Sequence, residues 1–154
     1  MQPNNDKIVI AADHAGFDLK EHLKSYLSKI GIRVDDLSAP VLDPADDYPA
    51  FGFKVGKAVS GGTYKQGILI CGTGIGISIA ANRYRGVRAA LCTSPEMAHM
   101  AREHNDANVL VLGGRTTPVP MAEKIVDAWF DGDFAGGAGG RHGKRVEQLD
   151  NPPA

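Results

Sequence analysis

The chain of 154 residues has little of what would assign it to a class at sight. It holds two cysteines, Cys71 and Cys92, each after its own apolar run, which argues against a disulfide framework. No positively charged and then apolar leader opens the sequence, so reduced thiols in a cytoplasmic protein are expected. No uninterrupted apolar run approaches the ~20 residues needed to cross a bilayer, and no membrane partner is expected. Charge of one sign is missing as well. The 17 basic and 18 acidic residues leave a formal net charge of -1, too little field to gather nucleic acid. Any anion binding must be local. Neither Cys-x-x-Cys nor His-Glu-x-x-His occurs, so no metal is expected.

What is present suffices for one domain with a core. Hydrophobic residues make up 43% of the chain, and the length is short for two ordinary domains, so a single domain over residues 1–154 is expected. Residues 7–12 read as a buried strand. Phe17, Leu19, Leu23, Tyr26 and Leu27 fall at mainly helical spacing over residues 17–29, and Gly31 closes that helix. A short strand at 32–36 precedes a loop rich in proline and aspartate at 38–47. Pro49 reads as the first helical residue, with Asp46 or Asp47 near the cap. Beyond it come a helix near 50–59, a strand at 67–71, a helix at 76–84 and a strand at 87–91. A helix at 95–104, a strand at 108–112 and a helix at 118–130 complete the series, with glycine or proline at each transition. Five strands alternating with helices imply an α/β fold with a parallel three-layer sheet, whose ligands bind beyond the strands' C-terminal ends.

The most informative stretch runs from Gly67 to Ser78, a continuously apolar strand ending in Cys71 and a turn containing Gly72, Gly74 and Gly76. Where such a turn opens a helix, unpaired amides face outward and glycine lets the backbone approach an anion or a developing oxyanion. That field favours a thiolate, so Cys71 is either a base or a small buried core residue. The turn is not a nucleotide loop. Ile77 stands three residues after Gly74 and Ile79 three after Gly76, where a dinucleotide fingerprint needs glycine, and no Walker lysine follows.

The other strand ends are also chemical. Asp13 and His14 follow the first strand, Thr73 follows the third, Cys92 the fourth and Arg115 the fifth, while His104, Asn105 and Asp106 end the fourth helix. Each has an ordinary structural explanation as cap, core or surface residue. Together they match the way an α/β sheet builds a site. After Asp131 the chain becomes glycine-rich, at Gly132, Gly136, Gly137, Gly139 and Gly140, and leads into Arg141-His142-Gly143-Lys144-Arg145. This arm, residues 132–154, is either a mobile basic terminus or a helix. A helix would put Arg141 and Arg145 on one face, where two guanidinium forks suit a phosphate.

Six segments now carry a family resemblance: Ala12-Asp13-His14-Ala15-Gly16, Asp47-Tyr48-Pro49, Cys71-Gly72-Thr73-Gly74, Ala80-Ala81-Asn82, His104-Asn105-Asp106, and Gly140-Arg141-His142 with Arg145. In this order and spacing they resemble the sugar-phosphate isomerases of the ribose-5-phosphate isomerase type B and galactose-6-phosphate isomerase family. The resemblance spans nearly the whole chain. It implies a Rossmann-like fold, a homodimer or dimer of dimers with active sites at the subunit interface, and no cofactor. It further implies that Cys71 is the base moving a proton between the first two carbons of an open-chain sugar, assisted by Thr73. Gly72, Gly74, Gly76 and Asn105 would hold the enediolate. His104 and Asp13 would open the sugar ring, Tyr48 would line the sugar, and His14, Arg115, Arg141 and Arg145 would clamp the phosphate. Some members replace the cysteine by a glutamate at the position of Ile77, so this chain resembles the thiol branch. Ribose 5-phosphate is the substrate implied first, ahead of a tetrose 4-phosphate or a hexose 6-phosphate of allose or galactose. A non-catalytic sugar-phosphate sensor is the reading from another class.

Overall fold

The computed structural model describes residues 7–137 and 139–154, so residues 1–6 and Ala138 of the glycine-rich stretch lie outside the described residues. Five parallel strands form one sheet: β1 (Ile8–Ala12), β2 (Val34–Asp36), β3 (Gly67–Cys71), β4 (Ala89–Leu91) and β5 (Val109–Gly113). Their spatial order is β2-β1-β3-β5-β4. The chain thus steps one way from β1 to β2 and the other way to β3. Right-handed crossovers then place the helix after β1 and the helix after β2 on opposite faces, and the strand order reverses between β1 and β3.

The two faces follow from alternation along the buried strands. On one side Ile8, Ile10, Ile68, Ile70, Leu110 and Leu112 meet α1 (Phe17–Lys29), α4 (Pro95–Asn105) and α5 (Val119–Asp131). On the other, Val9, Ala11, Leu69, Cys71, Val109 and Val111 meet α2 (Tyr48–Ser60) and α3 (Ile75–Ala81). Trp129 of α5 is fully buried, and its indole N–H is matched by the Gln66 side-chain oxygen at 2.8 Å. Continuous apolar strands such as Ile68 to Ile70 are what a sheet covered on both faces requires.

The expected elements are all present, with shifted ends. Helix α3 stops at Ala81 rather than near Tyr84, and β4 begins at Ala89 rather than 87. The cause is Asn82, whose side-chain amide pairs with both the N–H and the C=O of Ala89 at 2.8 and 2.9 Å. That side chain occupies the open edge of β4 as a neighbouring strand would. The C-terminal arm is helical, as α6 (Arg141–Asp150), and Arg88 anchors its far end through two contacts to Asp150 at 2.8 and 2.9 Å.

The first strand continues into the site through a polar cluster. Lys20 of α1 is fully buried, with Nζ 2.9 Å from Asp36 and 3.3 Å from the Ser38 hydroxyl, and its ammonium lies over the Phe17 ring. Ser38 donates to Asp36 at 2.7 Å and accepts the N–H of Ala12 at 3.0 Å, extending the β1–β2 ladder with a side chain. Burial raises the Asp36 carboxyl, but Ser38, Lys20 and Lys24 together hold it below the usual carboxylate value. Its contribution to stability is therefore present above the unfolded carboxylate pKa and lost as pH falls through the folded one. We predict that Lys20→Met costs about 3 kcal/mol, the low end for breaking a buried pair, because Lys24 still reaches Asp36 at 3.0 Å. Urea unfolding across the acid range checks this, and the loss of stability on acidification should be smaller in the variant, whose Asp36 carboxyl lies closer to its unfolded value.

Candidate active site

Three loops meet where the strand order reverses. The loop after β1 carries Asp13 and His14, the loop after β3 runs from Cys71 to Gly74, and the loop after β5 carries Gly114 and Arg115. Backbone bonds lock them together. The Asp13 N–H donates to Ile70 at 3.3 Å, Gly114 to Cys71 at 2.7 Å and Arg115 to Gly72 at 2.9 Å. The Asp13 carboxylate is buried and caps the following 3-10 turn (His14–Gly16), accepting the N–H groups of Ala15 and Gly16 at 3.0 and 3.1 Å.

Cys71 ends β3 on the α2/α3 face, and its sulfur accepts the Gly74 N–H at 3.2 Å. Gly74 can make that turn because its φ is 81°, a left-handed conformation open to glycine. Thr73 is exposed, and its hydroxyl accepts the Ile75 N–H at 3.3 Å. Gly76 is needed for contact rather than conformation: a side chain there would overlap the Tyr48 ring, which lies on it. The Arg115 guanidinium lies over Gly72, within 3.4 Å of where a Cβ would stand. One chain therefore gathers Asp13, His14, Tyr48, Cys71, Gly72, Thr73, Gly74, Gly76 and Arg115 at one sheet edge.

The remaining expected residues lie elsewhere in the same chain. Helix α4 leads from β4 back to the start of β5, so His104 and Asn105 at its end sit where the strands begin. A five-residue strand separates that edge from Cys71 by roughly 16 Å. There His104 stacks on His142 of α6, with ring centroids 4.4 Å apart and planes within 5°. Arg141 and Arg145 share this arm, one turn apart and both exposed.

The sequence reading missed one residue. Asp46 had been weighed as a helix cap, yet its carboxylate accepts both the backbone N–H of His14 at 2.9 Å and the ring Nδ1 at 2.7 Å. The bond to Asp46 chiefly raises the His14 pKa above its ordinary value. Burial and Arg115 act the other way, while the Asp13 charge adds to the rise. A contact across 32 positions leaves no local signal. Donor atoms of Asp13, His14 and Asp46 also lie within 4.8 Å of one another, close enough to hold a cation. Asp13 Oδ1 and His14 Nδ1 already take part in the hydrogen bonds just described.

The two thiols differ in surroundings. Burial pushes Cys92 up to about 11, and its sulfur faces the Ala90 carbonyl. We predict that iodoacetamide near neutral pH modifies Cys71 first and leaves Cys92 intact in the folded protein, as peptide mapping by mass spectrometry would show.

Comparison with known proteins shows the family. Residues 8–149 match the family model described as Ribose/Galactose Isomerase. Ribose-5-phosphate isomerase B of Escherichia coli is 44% identical over 143 residues, covering 93% of each chain. The structure of ribose-5-phosphate isomerase B from Clostridium thermocellum superposes with a TM-score of 0.88 at 48% identity, covering 94% of this chain and 95% of that one. The Mycoplasma genitalium ribose-5-phosphate isomerase B, solved with bound ribulose-5-phosphate, gives 0.88 at 41% identity, covering 94% and 93%. No helix among the described residues is long and apolar enough to cross a membrane. With its five-stranded parallel Rossmann-like sheet and a match along most of its length, the chain belongs to the ribose/galactose isomerase family.

Proposed function

We propose that the protein is a cofactor-independent aldose-ketose isomerase that interconverts ribose 5-phosphate and ribulose 5-phosphate. The observation that carries this is the position of Cys71, a thiol under a glycine turn whose flank is guarded by Arg115 and His14. A base beside an anion clamp suits a phosphorylated substrate held by its non-reacting end. The Cys71 thiolate takes the proton from the second carbon of the open-chain aldose, leaving an enediolate. Returning that proton to the first carbon, with a proton passing between the two oxygens, gives the ketose. The N–H groups of the turn face the oxygen where charge develops, and Thr73 steadies the base.

The ring must open before this step. His104 is the proton carrier for it, since imidazole titrates nearest working pH, with Asp13 as its acidic companion. Because His104, Asn105, Arg141 and Arg145 lie at the far sheet edge of their own chain, a second copy supplies them in a homodimer or larger assembly. The exposed side chains of Ile75 and Ile79, one turn apart on α3 and next to the glycine loop, favour such a partner. In this reading a single isomerase domain carries the base and half the clamp, and its arm completes a neighbour's site.

The test is incubation with ribose 5-phosphate, without added metal or nucleotide, following ketose formation beside tetrose 4-phosphate and hexose 6-phosphate controls. Faster turnover of another sugar would keep the chemistry and change the substrate, whereas binding of all without turnover would leave a sensor. We predict that Cys71→Ser folds and still binds ribulose 5-phosphate but loses about 10³-fold in kcat, as for loss of a general base. Wild-type turnover in that variant would remove the thiol from the mechanism.

A further inference from the structure

The loop at residues 39–47 is exposed throughout except at Asp46, whose side chain is 15% accessible. The loop folds on itself to deliver that residue. Asp43 accepts the Ala45 N–H on its carboxylate at 2.9 Å and the Asp46 N–H on its carbonyl at 3.2 Å, and α2 begins two residues later. A single Asp46 oxygen then takes both His14 hydrogens, from the backbone and from Nδ1. Nδ1 must carry hydrogen to donate there, which leaves Nε2 as the ring's free atom.

We propose that Asp46 is a positioning residue of the phosphate clamp, fixing the His14 ring with Nδ1–H bound and Nε2 available to a phosphate oxygen beside Arg115. This rests on the reading of His14 as a phosphate ligand. The groups facing the imidazole are Asp46 and Asp13, which favour its cation, and Arg115, which opposes it. With the folded pKa raised, the cation and the donor it presents through Nε2 are complete at acidic pH. Both are lost as pH rises through the folded value. Asp46 thereby extends phosphate binding to higher pH while touching no substrate.

The test uses the full-length protein and Asp46→Asn, which keeps an oxygen acceptor of the same shape and removes only the charge. Two-bond proton–nitrogen NMR of His14 should show the Nδ1–H tautomer in the wild type and a titration midpoint above the ordinary 6.5. That midpoint should fall in the variant. Calorimetry with inorganic phosphate should show affinity about fivefold weaker in Asp46→Asn at mildly alkaline pH, where the variant keeps a smaller cationic fraction of His14, and equal at acidic pH. If sugar phosphates turn over, KM should follow the same pH pattern with kcat unchanged. An Nε2–H tautomer, an unmoved midpoint, phosphate binding indifferent to pH, or an equal loss at every pH would each overturn the proposal. Absence of turnover together with the expected phosphate pattern would sink the isomerase reading alone. Should Asp46→Asn fail to fold, the wild-type tautomer and midpoint decide the question.

Discussion

The site depends on backbone bonds between loops that belong to different strands. Asp13 to Ile70, Gly114 to Cys71 and Arg115 to Gly72 continue the sheet's hydrogen bonding past the last strand residues. Loops are usually the most yielding part of an α/β domain. Here each carries its functional side chain at a distance set by its neighbour's backbone, so the thiol, the carboxylate and the guanidinium cannot drift independently. The reversal of strand order between β1 and β3 makes this meeting possible, because it opens a crevice that no crossover helix covers.

Outside that crevice the chain spends polar groups on supporting it. Ser38, bonded to Lys20 and Asp36, accepts the Ala12 N–H, one residue before Asp13. On the other side of the turn, Asp46 holds His14. Asp13 and His14 are thus fixed from behind and from the flank, and neither support touches the open face. At the opposite sheet edge Arg88 gathers Asp106 and Asp150, tying the ends of α4 and α6. His104, stacked on His142, lies beside the arm that carries Arg141 and Arg145. A site divided between two edges of one chain and completed by a second copy, as proposed, needs both surfaces rigid before assembly.

Much of this was legible from residue order. The apolar strands, the glycine turn and the caps act over a few positions, and periodicity reports such local effects directly. The strand β3 and the turn after Cys71 fell where expected for that reason. The end of α3 did not, because Asn82 leaves the helix to bond Ala89, a tertiary bond that overrides helix propensity. Of the two aspartates expected near the cap of α2, Asp47 stands at that cap, whereas Asp46 bonds His14, 32 positions away. The stacking of His104 on His142 was illegible for the same reason, and so was the depth of Lys20, whose helical position fits an exposed residue equally well.

The two cysteines show how far burial alone fails to assign chemistry. Both are almost fully buried and both stand at strand ends, Cys71 at 4% accessibility and Cys92 at 1%. By burial they would be equivalent core residues. The difference is the polarity of the adjacent backbone group. Cys92 faces a carbonyl oxygen, which accepts from a neutral thiol and repels an anion. Cys71 instead receives an N–H, the partner an anionic sulfur requires. That N–H is available because Gly74 adopts a left-handed turn which few other residues tolerate. A glycine chosen for its backbone angle, rather than any charged neighbour, is what separates the thiol proposed to react from the one that packs.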